Sequence, residues 1–350
     1  MSEVSHDPLR IAMISYYLPS GSKIGVGYQA HALANALSDR GHHVAMFSDC
    51  PPTDGARYEH HEVKMHGPMR TFRFAWRLRS VDFRDFDVLH AHGDDYWLWR
   101  RRCAVHLRTM HGSCIEEALH IPRAREKLRM AALGLTEILA TLVADRTVLV
   151  SPGTRRWMPW VRDVIPNGVD TSRFNPNAAS KTDHPTVLFV GTWHNRKRGS
   201  ELAHVFAEHV RPLIPDAELL MVTQDAPSYL PDGVRVLGRL SDDELAAAYA
   251  SAWAFCLPSD YEGFGIPYAE AMASGTPVIA TPNVGARYVL DGGKAGVLAP
   301  LVELGTALVR MLLDEEYRSD LRRLALERSK EFSLEHVVDA YEVRYRRSIG

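Results

Sequence analysis

The sequence has few of the features that are typical of secreted proteins, of proteins stabilised by structural zinc or of nucleic-acid-binding proteins. Its 350 residues include only four cysteines, which are scattered and form no CxxC pair: Cys50, Cys103, Cys114 and Cys256. Such spacing is typical of free thiols in a reducing compartment, and it excludes a disulfide framework and the usual zinc motifs. The formal net charge is −2, so the bulk charge gives no reason to expect a nucleic-acid partner.

Long apolar runs are also missing. No segment reaches the roughly 18 apolar residues that a membrane-spanning helix requires. The N-terminal segment has neither the apolar core nor the cleavage site of a signal peptide. The longest apolar stretch, residues 130–144, contains Glu137 and predicts a buried helix. We therefore expect a cytoplasmic protein.

Strand and helix patterns alternate along the chain in two separate runs. Residues 9–17 predict a buried strand, and the Ala/Leu spacing after them predicts a helix that ends at Gly41, followed by a second strand. The pattern restarts over residues 185–210, after a segment (164–185) rich in Pro, Asn and Ser that is typical of linkers. Strand, helix and strand in this order predict parallel sheets. We expect an α/β fold with two halves, each doubly wound.

One short stretch carries the most specific chemistry. A predicted strand, AWAFCLP, leads into the loop with Glu262, and Pro267 suits the first turn of a helix that then carries Glu270. Ligands of open α/β sheets bind at the carboxyl ends of strands, where a helix N-terminus attracts negative charge and ionised glutamates accept hydrogen bonds from hydroxyls. The alternative is an ordinary glycine-rich turn with two solvent-exposed glutamates.

This stretch, EGFGIPYAE followed by AMASGTPVIAT, resembles the E-x7-E signature of the retaining glycosyltransferases of family 4. Further segments agree in order and spacing, namely GVGYQAHALANALSDRGHHV, DVLHAHG, VIPNGVDTSRFNP, VLFVG and FSLEHVVDAYEVRYR. The resemblance implies the GT-B fold, in which two Rossmann-like domains face each other across a cleft. It implies an acceptor-binding domain over 1–167, a closing helix over 332–350 that packs back on it, and a nucleotide-sugar domain over 168–331.

The resemblance also implies roles for single residues of the second domain. Glu270 would accept hydrogen bonds from the ribose hydroxyls of the nucleotide, and Glu262 would contact the donor sugar as a catalytic residue. Arg239 would lie close to the base. The backbone lining of the sugar would come from Gly263, Phe264 and Gly265.

In the first domain, the resemblance implies that His92 faces the donor sugar as the second catalytic residue. The loop around Gly25 and Gly27 would offer N–H groups to the diphosphate. The adjacent acids Asp94 and Asp95 follow a predicted strand end and are candidates for acceptor contacts.

A nucleoside diphosphate is the expected leaving group, so cations must stabilise the negative charge that develops on it. The family usually places Arg directly after the glycine that ends a strand, and Lys just before a second glycine. The segment here is GTWHNRKRG, with Thr192 at the Arg position and Arg198 at the Lys position. We expect Arg198 to be the main diphosphate ligand, Arg196 the second, with Lys197 beside them. The alternative is an exposed basic turn.

The implied reaction is retaining transfer of a hexose from a UDP- or GDP-sugar to an acceptor hydroxyl, on the same face of the sugar and without a metal. The acids of SDDE (241–244) fit a helix capping box, and the histidines of 59–66 have no fourth ligand at a usual spacing. Neither segment therefore predicts a metal site, and no cofactor is expected.

The acceptor is left open as a small molecule, a glycan or a lipid-linked compound. Residues 69–80 and 97–108 are basic and aromatic, which suits a peripheral contact with the inner face of an anionic membrane. Ordinary helices whose long cations cover apolar surface have the same composition. Nothing in the sequence indicates an oligomeric state.

Two other functions are compatible with parts of the sequence. GVGYQA (25–30) with Asp49 matches a dinucleotide fingerprint and would make the protein an NAD-dependent dehydrogenase. However, the loop between Tyr17 and Gly25 is long for that motif, and E-x7-E would have no role. The altered GTWHNRKRG segment also permits a non-catalytic nucleotide-sugar binder that regulates a pathway.

Overall fold

The computed structural model describes residues 7–21, 24–99, 105–121 and 123–349. The chain divides into two compact units, of which the first comprises residues 1–168 and 334–350 and the second residues 169–333. Each unit is built on one parallel β-sheet. Among the cysteines, Cys50, Cys114 and Cys256 are free thiols, and Cys103 lies outside the described residues.

The first unit contains a seven-stranded sheet in the order β3-β2-β1-β4-β5-β6-β7. Its strands are β1 (Arg10–Ile14), β2 (His43–Ser48), β3 (Glu59–Glu62), β4 (Val88–Ala91), β5 (Val105–Met110), β6 (Arg146–Leu149) and β7 (Asp163–Val164). Ile11 of β1 lies opposite Val44 on one side and Val88 on the other. The strand order therefore reverses between β1 and β4, and such a switch point is where α/β sheets bind ligands.

Helices cover this sheet. They are α1 (Gly25–Asp39), α2 (Arg70–Arg77), α3 (Cys114–Leu119), α4 (Ala124–Val143) and, at the end of the chain, α11 (Leu334–Ile349). Gly41 follows α1 with φ 88°, a left-handed conformation that glycine adopts without strain. The amphipathic α11 buries Tyr341 and Tyr345 in the core that α1 and the central strands form.

The second unit repeats the plan with the six-strand order β10-β9-β8-β11-β12-β13. The strands are β8 (Thr186–Val190), β9 (Glu218–Val222), β10 (Val234–Val236), β11 (Ala254–Leu257), β12 (Val278–Ala280) and β13 (Val297–Leu298). The helices are α5 (Gly199–Val205), α6 (Asp242–Ser251), α7 (Ile266–Ala273), α8 (Val284–Val289), α9 (Leu304–Leu313) and α10 (Glu315–Ser329). Here the switch point lies between β8 and β11. Ser241 and Glu244 form the expected capping box of α6.

Two sequence-based expectations are wrong. The stretch over 130–144 does lie largely in a helix, α4, but it is not a buried one, because Leu135 and Leu142 are exposed. The end of the basic segment 97–108 is not a surface helix, since residues 105–108 belong to the fully buried strand β5. Residues 100–104 of that segment lie outside the described residues. Hydrophobicity in the first case and charge in the second predicted the wrong burial. Neither property of a segment shows which of its faces is covered by neighbouring helices and strands.

Candidate functional site

Two loops meet at the switch point of the second sheet. The first, residues 191–199, follows β8, and the second, residues 258–265, follows the neighbouring strand β11. Arg196 links them, because its carbonyl oxygen accepts hydrogen bonds from the Asp260 N–H at 2.8 Å and the Ser259 hydroxyl at 3.0 Å. Its guanidinium group donates in return to the carbonyl oxygen of Tyr261 at 2.7 Å. The two loops therefore form one connected structure.

Glu262 lies at the centre of this structure. Its Oε1 accepts hydrogen bonds from Arg196 Nη1 at 2.9 Å and from Lys197 Nζ at 2.6 Å, and the residue is only 6 % exposed. Burial raises the pKa of Glu262, but Lys197 and Arg196 outweigh it and hold that pKa below its ordinary value. Glu262 is therefore an ionised acid that gathers two cations at the carboxyl edge of the sheet.

Glu270 occupies a different environment one turn into α7. Its Oε2 accepts a hydrogen bond of 2.9 Å from the hydroxyl of Tyr249, a buried residue of α6. Burial raises the pKa of Glu270 to about 7, although the Tyr249 hydrogen bond and the charge of Lys197 both lower it. Near neutral pH this carboxyl group is therefore divided between its protonated and ionised forms, and the ionised form can accept hydrogen bonds from an incoming hydroxyl.

The basic triplet of residues 196–198 is divided between two acids. Arg198 adopts a left-handed backbone conformation with φ 56° and forms its ion pair with Asp260, whereas Arg196 and Lys197 turn to Glu262. The loop before the triplet is fixed by Asp225, whose Oδ1 accepts the Trp193 N–H at 2.6 Å. All three residues that the sequence singled out lie at this edge, but Arg196 and Lys197, rather than Arg198, converge on Glu262.

The GFG segment owes its sequence to close packing. Gly265 has φ 95°, and a Cβ atom there would lie 2.3 Å from the Tyr268 ring, so only glycine fits without rearrangement. Phe264 is 2 % exposed and packs edge-on against Phe332 at a centroid distance of 5.4 Å. The side chain of Phe264 is therefore part of the packed interior of the second unit. Gly263 is half-buried.

Arg239 is exposed and follows the carboxyl end of β10. In the sheet, β9 alone separates β10 from β8, so these strand ends are about 10 Å apart. Arg239 therefore shares the sheet edge with Glu262 but belongs to a different part of it.

In the first unit, His92 follows β4 directly at the switch point and donates its backbone N–H to the Ile14 carbonyl of β1 at 2.8 Å. Its Nδ1 lies 2.9 Å from Nε2 of His111, the residue after β5. Burial and neighbouring positive groups lower the pKa of His92 well below its ordinary value, so the ring is neutral.

Asp94 and Asp95, both candidates for acceptor contacts, differ in environment. Asp95 is fully buried, where it pairs with Arg108 and lies 3.0 Å from Nε2 of His106. It is therefore out of reach of an acceptor, and the suggestion that it contacts one is wrong. Asp94 adopts φ 59°, and burial raises the pKa of its carboxyl group to about 7. Asp94 remains a candidate.

Gly25 and Gly27, which the sequence analysis placed in a loop, belong to the first turn of α1 and also differ. Gly25 is the first residue of α1, a position where the N–H has no acceptor within the helix. The N–H of Gly27 already donates to the carbonyl of Ile24 at 3.0 Å. A Cβ atom at Gly27 would lie 2.7 Å from the Tyr17 carbonyl oxygen. Close approach of α1 to the loop after β1 therefore explains the glycine at position 27.

Comparison with known proteins identifies the family. The model described as "Glycosyl transferases group 1" matches residues 184–314, and that of "Glycosyltransferase Family 4" matches residues 24–173. The chain is a glycosyltransferase of family 4 with the GT-B fold. Because the chain belongs to this family, the dehydrogenase alternative is dropped. Asp49, the acid of the dinucleotide fingerprint, instead accepts the Met65 N–H at 2.5 Å.

Three known proteins show the range of similarity. Phosphatidyl-myo-inositol mannosyltransferase of Mycolicibacterium smegmatis is 27 % identical over 354 aligned positions, covering 91 % of this chain and 89 % of the relative. MMP alpha-(1->4)-mannosyltransferase of Mycolicibacterium hassiacum is 36 % identical over 174 positions, covering 46 % and 41 %. Sucrose-phosphate synthase of Thermosynechococcus elongatus has 22 % identity and a TM-score of 0.78, covering 97 % and 98 %, a likeness of fold.

Four residues that contact the candidate site were missed by the sequence analysis. Tyr249, His111 and Asn167 each hydrogen-bond to another side chain of a candidate site, and Asp225 accepts the backbone N–H of Trp193. Asn167 stands inside the VIPNGVD motif, which was a usable signal. His111 follows β5, and this strand was not predicted because its polar residues do not resemble a buried strand.

The described residues contain neither a grouped set of metal ligands nor a membrane-spanning helix. In the ranges 7–21, 24–99, 105–121 and 123–349, no three His, Cys, Asp or Glu residues are grouped as metal ligands. No helix of those same ranges is both long and apolar enough to cross a membrane.

Proposed function

We propose that this glycosyltransferase transfers a hexose, with retention of anomeric configuration, from a nucleoside-diphosphate sugar to an acceptor hydroxyl without using a metal. The observation that carries the proposal is the convergence of Arg196 and Lys197 on Glu262 at the sheet edge that also carries Glu270. Fixed cations beside an ionised acid suit a ligand that is anionic at one end and rich in hydroxyls at the other.

In this proposal Arg196 and Lys197 stabilise the departing diphosphate, and Glu270 accepts hydrogen bonds from the ribose. The base extends along the strand ends toward Arg239, which follows β10, the second strand from β8 in the sheet. Lys197 is paired with Glu262 and interacts more weakly with the charge of Glu270, which supports a role for Lys197 as a phosphate ligand. Arg198, held by Asp260, contributes less.

The proposed reaction takes place on one face of the sugar. The bond from the anomeric carbon to the diphosphate oxygen breaks, and a bond from that carbon to the acceptor oxygen forms on the same face. The acceptor proton passes to the departing phosphate oxygen, so no protein nucleophile is required. Arg196 and Lys197 supply the positive charge that such a leaving group needs, and His92 contacts the donor sugar.

For the donor sugar we propose mannose, since the relatives from Mycolicibacterium smegmatis and Mycolicibacterium hassiacum are both mannosyltransferases by name. For the acceptor we propose a lipid-linked compound of the phosphatidylinositol type, at the inner face of the cytoplasmic membrane, on the same ground.

An exposed surface of the first unit supports a membrane-bound acceptor. Ala75 of α2, Ala140 of α4 and Tyr96 of the loop after β4 pack in one cluster. Exposed apolar side chains of α2, of α4 and of that loop define what we name the Trp–Leu surface: Trp76 57 %, Trp97 41 %, Trp99 57 %, Leu135 66 %, Leu139 37 % and Leu142 61 % exposed. Arg70, Arg73, Arg77 and Arg79 on and beside α2 add positive charge, which favours an anionic bilayer.

The decisive experiment is a thermal-shift screen with UDP-, GDP-, ADP- and dTDP-sugars, followed by a transfer assay of the stabilising donor in EDTA. Bound ligand stabilises the folded protein according to its affinity. We expect GDP-mannose to raise the Tm most and EDTA to leave transfer intact, whereas a larger shift with a UDP-sugar such as UDP-glucose would contradict the proposed mannose donor. NMR of the product should show the donor's anomeric configuration. Stabilisation without transfer or hydrolysis would favour the non-catalytic regulator.

A further inference from the structure

Three side chains of the first unit form a hydrogen-bonded row that ends at His92. Asn167, in the segment after β7, places its Oδ1 3.1 Å from Nδ1 of His111. Nε2 of His111 then lies 2.9 Å from Nδ1 of His92. Asn167 and His92 are both 7 % exposed, and His111 is half-buried. The row therefore connects the VIPNGVD segment with the switch point between β1 and β4.

The chemistry of the groups gives the row a direction. An amide oxygen only accepts hydrogen bonds, so Nδ1 of His111 carries the proton that is donated to Asn167. Burial lowers the pKa of His111 to about 4, so its other nitrogen, Nε2, is an acceptor at neutral pH. That acceptor requires the proton of His92 to be on Nδ1. Nε2 of His92 is then left with a lone pair.

The surroundings keep His92 in this neutral state. The rings of His90 and His111 lie at centroid distances of 4.3 Å and 5.2 Å, and Arg108 of β5 adds a positive charge nearby. His90 is itself engaged, with Tyr345 at 2.6 Å and Thr109 at 2.8 Å. Among the described residues, Nε2 of His92 is buried and has no hydrogen-bond partner. It is an unused acceptor beside a strand end.

We propose that Asn167 and His111 are positioning residues that hold His92 in the Nδ1–H tautomer, so that its Nε2 accepts a hydrogen bond from a hydroxyl of the donor sugar. The contact with the sugar rests on the proposed function, whereas the tautomer does not. A neutral acceptor also suits the reaction, because positive charge develops at the anomeric carbon when the diphosphate leaves, and an imidazolium would oppose it.

The test measures the tautomer directly, by two-dimensional ¹H–¹⁵N NMR of the histidine rings in the full chain at pH 7. The His92 signals are assigned by comparison with His92→Asn. We expect a protonated Nδ1 and an unprotonated Nε2 in the wild type. His111→Leu and Asn167→Leu should shift the ring toward the Nε2–H form, whereas His111→Gln should preserve it, because its amide oxygen can still accept. A wild-type ring protonated on Nε2 would overturn the proposal.

Kinetics then separate this proposal from the proposed function. With GDP-mannose and UDP-glucose as donors, His111→Leu should lower turnover at least tenfold while UDP and GDP affinities stay within twofold, and His111→Gln should restore most of the turnover. Equal losses in both variants would refute the positioning role. If His92→Ala leaves turnover unchanged although the tautomer is as expected, the role of His92 at the sugar is wrong and the hydrogen-bonded row stands. Melting temperatures of all variants verify folding.

Discussion

Lys197 Nζ lies 2.6 Å from Oε1 of Glu262, inside the loop structure that joins the ends of β8 and β11. Nη1 of Arg196 lies 2.9 Å from the same oxygen. Glu262, Lys197 and Arg196 together carry a net positive charge, because one carboxylate neutralises only one of the two cations. This excess positive charge is the feature that a diphosphate would use.

The first prediction concerns this excess charge. Lys197→Met should weaken the binding of UDP or GDP by roughly 10- to 100-fold, equivalent to about 1.5–3 kcal/mol for a hydrogen bond between charged groups. Binding of the bare nucleoside, which has no phosphate, should change little. Isothermal titration calorimetry with each nucleotide and its nucleoside measures the difference.

Arg198→Met is the matched control, because the Arg198 side chain is already paired with Asp260. It should cost less than about threefold in nucleotide affinity, the scale of a partly exposed ion pair. A larger loss in Arg198→Met than in Lys197→Met would restore the order of importance that the sequence suggested.

A second prediction concerns stability and the pKa of Glu270. This carboxyl group titrates near pH 4.5 when unfolded and near 7 when folded. Between these values the folded state binds more protons, so the wild type loses stability as the pH rises. Glu270→Gln keeps an acceptor for Tyr249 but does not titrate. The free energy of unfolding of Glu270→Gln, relative to that of the wild type, should therefore increase between pH 4.5 and pH 7. The increase should be at most about 3 kcal/mol.

Urea unfolding of the two proteins between pH 5 and pH 8 measures this gain. Glu303→Gln changes an exposed glutamate of the same unit and should show no such trend. A gap between Glu270→Gln and the wild type that stays constant with pH would contradict the raised pKa.

The third prediction links the same group to the donor. If ribose hydroxyls donate to Glu270, they favour its ionised form, and binding at pH 7 should release about half a proton. Calorimetric titration of the stabilising nucleotide in phosphate and in Tris buffers reports this release, since these buffers differ in ionisation enthalpy. Glu270→Gln should abolish it. Equal proton release by both proteins would place the ribose elsewhere.

A fourth prediction tests the close packing of the GFG segment. Gly265→Ala introduces a Cβ atom at 2.3 Å from the Tyr268 ring at a residue with φ 95°. We expect a loss of about 2–4 kcal/mol, part from backbone strain and part from the clash. Thermal unfolding measures the loss as a lower Tm.

Gly238→Ala isolates the strain, because Gly238 has φ 68° and a Cβ atom there would meet nothing within 4 Å. It should lower the Tm by less than Gly265→Ala does. Similar values for the two variants would show that the Tyr268 ring moves aside without cost.

The fifth prediction addresses the Trp–Leu surface. The double variant Leu135→Gln, Leu142→Gln removes two exposed leucines of α4. It should lower the affinity for vesicles rich in phosphatidylglycerol by tenfold or more, because burying one leucine side chain in the bilayer contributes about 1.5 kcal/mol or more to the binding free energy. Vesicle co-sedimentation measures it. Leu313→Gln, at a 64 % exposed leucine of α9, is the control. Unchanged binding in the double variant would contradict a membrane role for this surface.

The sequence was informative wherever local pattern and burial agree. The strand β1 was predictable from its apolar run, and the helix α1 from its helical spacing. The end of α1 was predictable from Gly41, which adopts a left-handed conformation. The strand β5 was missed because His106 and Arg108 look like surface residues, and only Asp95 and the neighbouring strands make their burial tolerable.

The site shows the same division. Glu262 and Glu270 stood out because they flank a glycine turn between a predicted strand and helix and match the E-x7-E signature. Their difference in pKa was not predictable, since it depends on Lys197 and Arg196 beside one acid and Tyr249 beside the other. The side chains of Asn167 and His111 also meet from segments far apart in the chain.

The amino-acid sequence by itself determined the parallel α/β architecture, the family and the strand ends where chemistry is concentrated, because periodicity and motif spacing are local properties of the chain. Only the tertiary structure decided which cation pairs with which acid, which histidine nitrogen keeps a lone pair and which apolar face stays exposed. Those outcomes depend on distances between residues remote in sequence and on how much water each group loses on folding, and neither quantity is written in the order of the residues.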